Sequence, residues 1–319
     1  MKLLITGFGG FVSEHFLTLL NDKEPGSEVL GIDKNDPGID PSRFGGLSIS
    51  FKQIDLLDRS ATAKIIAEFQ PEFILHLASI SSVAKSWESP LDSFLNNTSI
   101  FLNIAEHLRT SKSNCRILSI GSSEEFGEVN EKDLPLTEEH PLNPASPYAV
   151  ARVSQEMLSK VYADGFGLDI VMTRSFNHIG PGQKENFVVA SFAKQLVELA
   201  AQKNKDNTIT TGDISVTRDF LDVRDVVKAY YHLLKKGRTG EVYNICSGIG
   251  IQLSGIIEKM AGILGMEIKT LTDERLLRPN ENRKIIGSHE KISKELGWKP
   301  DIPLEKSLED ILDYWRSRL

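Results

Sequence analysis

The sequence predicts an α/β chain built on a doubly wound parallel sheet, followed by a smaller α/β lobe. Three observations carry this. Short, continuously apolar runs such as Phe73-Ile74-Leu75-His76-Leu77-Ala78 suit strands covered on both faces. These runs alternate with helix-length stretches, the rhythm of strand–helix–strand crossovers. A glycine-rich turn, Thr6-Gly7-Phe8-Gly9-Gly10-Phe11-Val12-Ser13, joins the first strand to the first helix.

In chain order, strands are expected at 2–6, 28–33, 48–54, 72–78, 115–122 and 169–176. Helices are expected near 11–20, 61–69, 93–108 and 148–162. After Phe176 the rhythm changes. Residues 177–185 read as a loop rich in Gly, Pro and Asn. A helix (187–201), a short strand (208–212), a helix (222–235) and a strand (241–246) follow. Two further helical patterns cover 252–264 and the end of the chain from Leu304. The stretch 128–147, with four prolines and many acids, reads as a long irregular excursion suited to a lid. The expected division is a dinucleotide-binding, Rossmann-like unit (1–175 and 214–247) and a ligand-binding lobe (176–213 and 248–319).

With 319 residues, 40% hydrophobic and 25% charged, the chain is an ordinary globular one, too long for one small core. A net charge of −7 with dispersed basic residues argues against a nucleic-acid surface. No apolar run is long enough for a bilayer span, and the N-terminus opens directly on a strand, so a cytoplasmic protein without a membrane partner is expected. The two cysteines, Cys115 and Cys246, lie far apart with no metal-ligand spacing and read as buried thiols. No metal site is expected.

The glycine turn has a chemical meaning. Gly7 and Gly10 let the backbone approach a pyrophosphate, and the helix N-terminus at Phe11 and Val12 favours its negative charge. Asp33 ends the second strand about twenty residues on, where a carboxylate accepts hydrogen bonds from the ribose of NAD and repels a 2′-phosphate. NAD(H) is therefore favoured, with NADP(H) still open because Lys34 adjoins. Asp55 and Leu56 follow the third strand and suit the adenine. Leu77 and Ala78 end the fourth strand beside the cofactor path. His76 reads as a packed strand residue.

A second constellation carries the chemistry. Ser122, Ser123 and Glu124 follow the fifth strand, and Tyr148 precedes Arg152 by one helical turn, on the same face. A serine hydroxyl and a tyrosine beside a cation make an acid/base site: a free phenol titrates near ~10, and a fixed positive charge favours its ionised form.

Together these segments resemble the extended short-chain dehydrogenase/reductases, specifically the nucleotide-sugar epimerase/dehydratase group. Within it, GSSEEFG, PASPYAVAR, RSFNHIGPGQ, TRDFLDVRDVV, NICSGIG and RPNENRKIIGS look most like GDP-6-deoxy-4-keto-mannose reductases, then GDP-mannose 4,6-dehydratases. The resemblance implies Tyr148 as general acid/base at the sugar C4 oxygen and Ser122 as its hydrogen-bonding partner. It implies Glu124 as the base used by dehydratases, and Asn97 as support for the proton-relay lysine. That lysine is here Arg152, which keeps the charge but has a planar fork and does not shuttle a proton. The resemblance also implies a homodimer packed through the helices at 93–108 and 148–162.

The substrate end is expected to use Ser123, Asn177, Lys194, Arg218 and Arg278. Asn177 is the position at which the family contacts the sugar diphosphate. Charged cations suit a diphosphate, and Arg218 and Arg278 were expected in irregular segments. Lys194 suits a solvated helix face equally well. Arg224 reads as a structural partner, His178 as loop-ordering, and Glu281 or backbone groups as readers of guanine. The expected activity is NAD(P)H-dependent reduction, or the reverse, at C4 of a GDP-linked 4-keto-6-deoxyhexose. A 4,6-dehydratase is the first alternative and a catalytically weak cofactor-binding protein the second. On this reading, lysine at position 152 would raise turnover.

Overall fold

The computed structural model describes residues 1–202, 207–277 and 282–319. Its first half runs β1 (Lys2–Thr6), α1 (Phe11–Lys23), β2 (Glu28–Asp33), β3 (Ser48–Gln53), α2 (Arg59–Phe69), β4 (Phe73–His76), α3 (Val83–Glu88), α4 (Pro90–Ser111), β5 (Arg116–Ser122), α5 (Pro147–Phe166) and β6 (Ile170–Ser175). The second half runs β7 (Asn177–Ile179), α6 (Val188–Ala201), β8 (Thr208–Thr211), β9 (Thr217–Asp222), α7 (Val223–Lys236), β10 (Val242–Ile245), β11 (Gly250–Gln252), α8 (Leu253–Leu264), β12 (Lys269–Thr272), β13 (Lys284–Ile285), α9 (Glu290–Leu296) and α10 (Leu304–Arg316).

Seven strands form one parallel sheet in the order β10-β6-β5-β4-β1-β2-β3. Both faces are covered, which is why its central strands are apolar without alternation. On one face Leu3, Ile5 and Leu118 pack with Phe16 of α1 and Tyr230 of α7. On the other, Leu4, Ile74 and Ile117 meet Ile104 of α4 and Ile66 of α2. The strand order reverses between β1 and β4, and ligands of such sheets bind in the crevice outside the strand C-termini at that point. Among the described residues, no helix is long and apolar enough to cross a membrane.

The smaller lobe packs α6, α8 and α10 around Phe192, Leu196, Ile256, Met260, Leu308 and Ile311. Its strands differ from expectation. Residues 177–179 are a strand, not a loop, because β7 pairs with β9 through Asn177↔Phe220. β9, whose charged TRDFLD sequence reads as irregular, is almost wholly buried and also pairs with β11 and β13. It lies inside the 214–247 segment assigned above to the dinucleotide unit, yet none of its partners belongs to the seven-stranded sheet. Its Asp219 carboxylate accepts bonds from the Ser247 N–H and hydroxyl (2.8 and 2.6 Å), Gly248 N–H (2.9 Å) and Gly287 N–H (3.2 Å). One buried acid thus gathers the loop after β10 and the segment before α9. β8 and β12 form a separate parallel pair.

The 128–147 excursion is laced down rather than loose. The Leu136 N–H donates to the Ile286 carbonyl and its carbonyl accepts from Ser288 N–H, both at 2.8 Å. Glu138 accepts from Asn244 N–H (2.7 Å), and the Asn143 N–H donates to the Glu125 carbonyl (3.2 Å). Its irregular backbone is satisfied by distant partners that no local pattern reveals.

Candidate active site

A cavity of about 710 Å³ opens at the switch point, between the ends of the parallel strands and the smaller lobe. On the sheet side it begins at the glycine turn. Gly7 has φ +70°, and a Cβ there would lie 2.7 Å from the Ala78 backbone nitrogen, so only glycine lets β1 pass this close to the β4 end. Gly10 caps α1 without any side-chain bond, leaving first-turn N–H groups at Phe11 and Val12 available to an anion. Gly7, Gly10, Phe11, Val12, Asp33 and Leu77 all line the cavity. The Asp33 carboxylate accepts from Gly9 N–H (2.9 Å) and Asn35 N–H (3.3 Å). This cradle fits a dinucleotide diphosphate and its ribose.

Tyr148 and Ser122 are each placed by a helical start. Ser146 accepts the Ala149 N–H (3.1 Å) and Pro147 occupies the first turn, so α5 begins just ahead of Tyr148. The strand β5 ends at Ser122, whose Oγ accepts the Glu124 N–H (3.2 Å). The Ser122 O–H proton is then left to donate into the cavity. Arg152 Nε donates to the Tyr148 phenol oxygen (3.2 Å), and its Nη1 donates to the Ile120 carbonyl (3.0 Å) and Gln155 Oε1 (2.7 Å). The phenol accepts from the guanidinium and retains its own O–H for a ligand. Ser122, Ser123, Glu124, Tyr148, Arg152 and Asn177 line the same cavity.

Behind Ser122 lies a buried cluster absent from the sequence reading. Arg174 grips Glu156 with two bonds (2.8 and 2.7 Å), and Glu125 Oε1 accepts the Ser122 N–H (2.6 Å). Burial, and then the Glu156 charge, hold the Glu125 carboxyl well above the usual carboxylate range. Ser122 and Glu125 close a capping box over the short helical turn after β5, and this Ser-x-x-Glu spacing is the local signal for Glu125 in the sequence.

Other expected site residues lie elsewhere. Asp55 does not line the cavity; its carboxylate holds Lys34 Nζ (3.0 Å) and the Leu57 N–H (2.9 Å). Leu56 is buried in the core, and Ala78 backs the glycine turn instead of lining the cavity. Asn97 does not touch Arg152. Its amide accepts from the Ile80 N–H (2.8 Å) and donates to the Ile80 carbonyl (3.2 Å), fixing the loop between β4 and α3. Lys194 is outside the cavity lining, in ion pairs with Glu185 and Glu198, because it projects from α6 toward acids of its own neighbourhood. Arg218 lies in a buried strand, with Nη1 donating to the Thr217 carbonyl (2.9 Å). Arg278 and Glu281 lie outside the described residues. Arg224 pairs with Asp222 and Asp310 (both 2.7 Å). His178 stacks on Phe11 at 5.7 Å, joining the two lobes at the cavity. Lys184 and Asn186, which the sequence reading did not single out, also line the cavity.

A glycine-rich helix start and a tyrosine bonded to a cation line one cavity at the switch point of a doubly wound sheet. The chain is a nicotinamide-dependent oxidoreductase of the extended short-chain dehydrogenase/reductase type. The sequence model described as GDP-mannose 4,6 dehydratase matches residues 4–311. Over 318 residues the chain is 34% identical to the GDP-6-deoxy-D-mannose reductase of Pseudomonas aeruginosa, covering 100% of this chain and 98% of that one. The dTDP-glucose 4,6-dehydratase of Haemophilus influenzae is 27% identical, covering 99% and 98%. Among solved structures, RMD from Pseudomonas aeruginosa complexed with NADPH superposes with a TM-score of 0.86 at 33% identity, over 100% of both chains. The UDP-glucose 4-epimerase of Thermotoga maritima with UDP-glucose gives 0.87 at 27%, over 100% of this chain and 99% of that one. The chain belongs to the GDP-mannose 4,6 dehydratase family.

His76 sits under this site, with Nδ1 2.8 Å from Thr6 Oγ1 and Nε2 lacking a hydrogen-bond partner. Burial, and secondarily the Arg152 charge, lower its pKa to about 3. An unfolded histidine titrates near ~6.5, so below that pH unfolding takes up a proton that the folded state refuses. Stability should therefore fall as pH drops from 6.5 toward 3, by up to about 1.4 kcal/mol per pH unit from this residue. Urea denaturation at pH 7 and pH 5 checks this: His76→Asn should lose less stability between them than the parent, and equal losses would remove His76 from the account.

Proposed function

We propose that this enzyme reduces the 4-keto group of a GDP-linked 6-deoxyhexose, or runs the reverse oxidation. The observation that carries the reaction is the pairing of two free O–H donors, Tyr148 and Ser122, in one cavity with an open dinucleotide cradle. Full-length similarity to a GDP-6-deoxy-D-mannose reductase supports the sugar and nucleotide.

When bound, the nicotinamide supplies or accepts the hydride at C4. Tyr148 then donates its proton to the C4 oxygen, or withdraws it in the other direction. Ser122 donates a hydrogen bond to the same oxygen and orients it. Arg152, bonded to the phenol oxygen, stabilises the charge left there when the proton departs. Asn177 and Lys184 are polar groups of the cavity lining suited to the sugar diphosphate, alongside Ser123; Arg218 is retained as a candidate from the strand behind them. Glu124 lines the cavity where a dehydratase would need a base, which favours a 4,6-dehydratase as the second reading.

Incubating the protein with GDP-4-keto-6-deoxymannose and reduced cofactor should consume cofactor absorbance. Tyr148→Phe should lower the rate by roughly 10²–10⁴-fold with cofactor binding intact. Turnover of GDP-mannose without added cofactor, and none of the keto sugar, would replace this reading by the dehydratase one.

For the cofactor, NAD(H) is favoured over NADP(H). The Asp33 carboxylate lines the cavity, and the neighbouring Lys34 is drawn off to Asp55. Fluorescence titration should give tighter binding of NADH than NADPH. Equal or tighter binding of NADPH, the cofactor in the Pseudomonas aeruginosa structure, would show that Asp33 does not govern the choice.

A homodimer is the proposed assembly. α4 and α5 pack side by side and expose Leu91, Leu95, Met157 and Val161 on their outer surface. Sedimentation should show twice the chain mass, and Val161→Glu should halve it; a parent protein that sediments as one chain contradicts the assembly.

A further inference from the structure

We infer that Gln155 is the positioning residue that makes arginine the working partner of Tyr148, so that Arg152 and Gln155 act as one matched unit. The inference rests on the reading of Tyr148 as the acid/base group. It reverses the expectation that lysine would serve better at position 152.

A guanidinium attached to the phenol by Nε alone would be free to swing on its long side chain. Here Nη1 is held by two further acceptors, Gln155 Oε1 at 2.7 Å and the Ile120 carbonyl at 3.0 Å. Gln155 is itself fixed. Its Nε2 donates to Ser119 Oγ (2.9 Å) and to the Ile120 carbonyl (3.3 Å), and Ser159 Oγ bonds Ser119 Oγ (3.1 Å). Arg152, Gln155, Ser119 and Ser159 are 4%, 1%, 3% and 0% exposed, so water does not replace these bonds.

The strand ladder explains why the acceptors are there. β4 ends at His76 opposite Ser119, so Ile120 has no β4 neighbour and its carbonyl is left for a side chain. Gln155 stands three residues after Arg152 on α5, a spacing that puts both side chains on one face. An ammonium presents its three N–H groups from one nitrogen, whereas the guanidinium spreads donors over a rigid fork. Lysine cannot serve the phenol oxygen and the Gln155–Ile120 pair from separate atoms, and acceptors left unmatched in a buried site carry a desolvation cost. Nη2 makes no hydrogen bond among the described residues, and Arg152 lines the cavity, which leaves that end for a bound ligand.

The test is a double-mutant cycle on the full-length protein with Gln155→Met, Arg152→Lys and both together, plus Gln155→Glu, which retains an acceptor for Nη1. Thermal midpoints and NADH affinity are measured first, then kcat and KM with GDP-4-keto-6-deoxymannose. Gln155→Met should lower kcat by about tenfold or more, with KM within about twofold. In the Arg152→Lys background the same change should move kcat by less than about twofold, and the thermal midpoints should show the same coupling. Arg152→Lys alone should be slower than the parent, and Gln155→Glu should fall between the parent and Gln155→Met, because it keeps the acceptor for Nη1 but loses the Nε2 bonds to Ser119 and Ile120. Equal factors for Gln155→Met in both backgrounds, in kcat or in thermal midpoint, overturn the inference. Coupled midpoints in proteins that all fail to turn over the keto sugar support the matched unit and sink the substrate assignment instead.

Discussion

The bond from Arg152 Nε to the Tyr148 phenol oxygen is the contact on which the rest of the site turns. It buries a cation beside the Tyr148 phenol, and a cation so placed is tolerated where acceptors meet its donors. That requirement reaches into the main sheet, because the remaining bonds end on the Ile120 carbonyl and on Gln155. The carbonyl is available only because β4 is shorter than β5 at this end. Strand length, helix start and side-chain choice are therefore one constraint.

The same strand ends set the cofactor side. β1 stops at Thr6 and β4 at His76, so the chain leaves the sheet in opposite directions on either side of one crevice. Gly7 takes its positive φ because the β4 end lies against it, and α1 starts without a side-chain cap. A helix start left open in this way costs stability unless an anion or water satisfies it. The α1 start is distinguished by its place, since Gly10, Phe11 and Val12 line the cavity at the strand ends.

The smaller lobe is joined to the sheet by bonds to a buried acid, by ring stacking and by the apolar cluster of Phe126, Leu136, Phe176, Cys246 and Ile285. Asp219 collects four donors from two distant segments, and Phe11 stacks on His178 across the cavity mouth. The excursion between β5 and α5 is held by Glu138, Asn244 and Leu136. With Arg174 donating to the Glu138 carbonyl (3.0 Å) as well as to Glu156, the excursion is tied to the buried carboxyl cluster behind Ser122.

The doubly wound sheet, the glycine turn into α1 and the Tyr148–Arg152 spacing were legible in the sequence. Each rests on signals within a few residues: apolar runs, a glycine-rich turn, an i,i+4 spacing. The β7–β9–β11–β13 sheet was not legible, because its strands are short and polar and are paired across about 30 to 70 residues. Asn97 serves Ile80, 17 residues away, and Lys194 serves Glu185, 9 residues away, because side-chain direction rather than spacing selects the partner. The meaning of Arg152 lay on the same boundary. Its charge and spacing could be read from the chain, but whether a guanidinium fits depends on a strand-end carbonyl and an amide brought together only when α5 packs on β5. Local periodicity determines what each segment becomes, and tertiary packing decides which buried polar groups find each other.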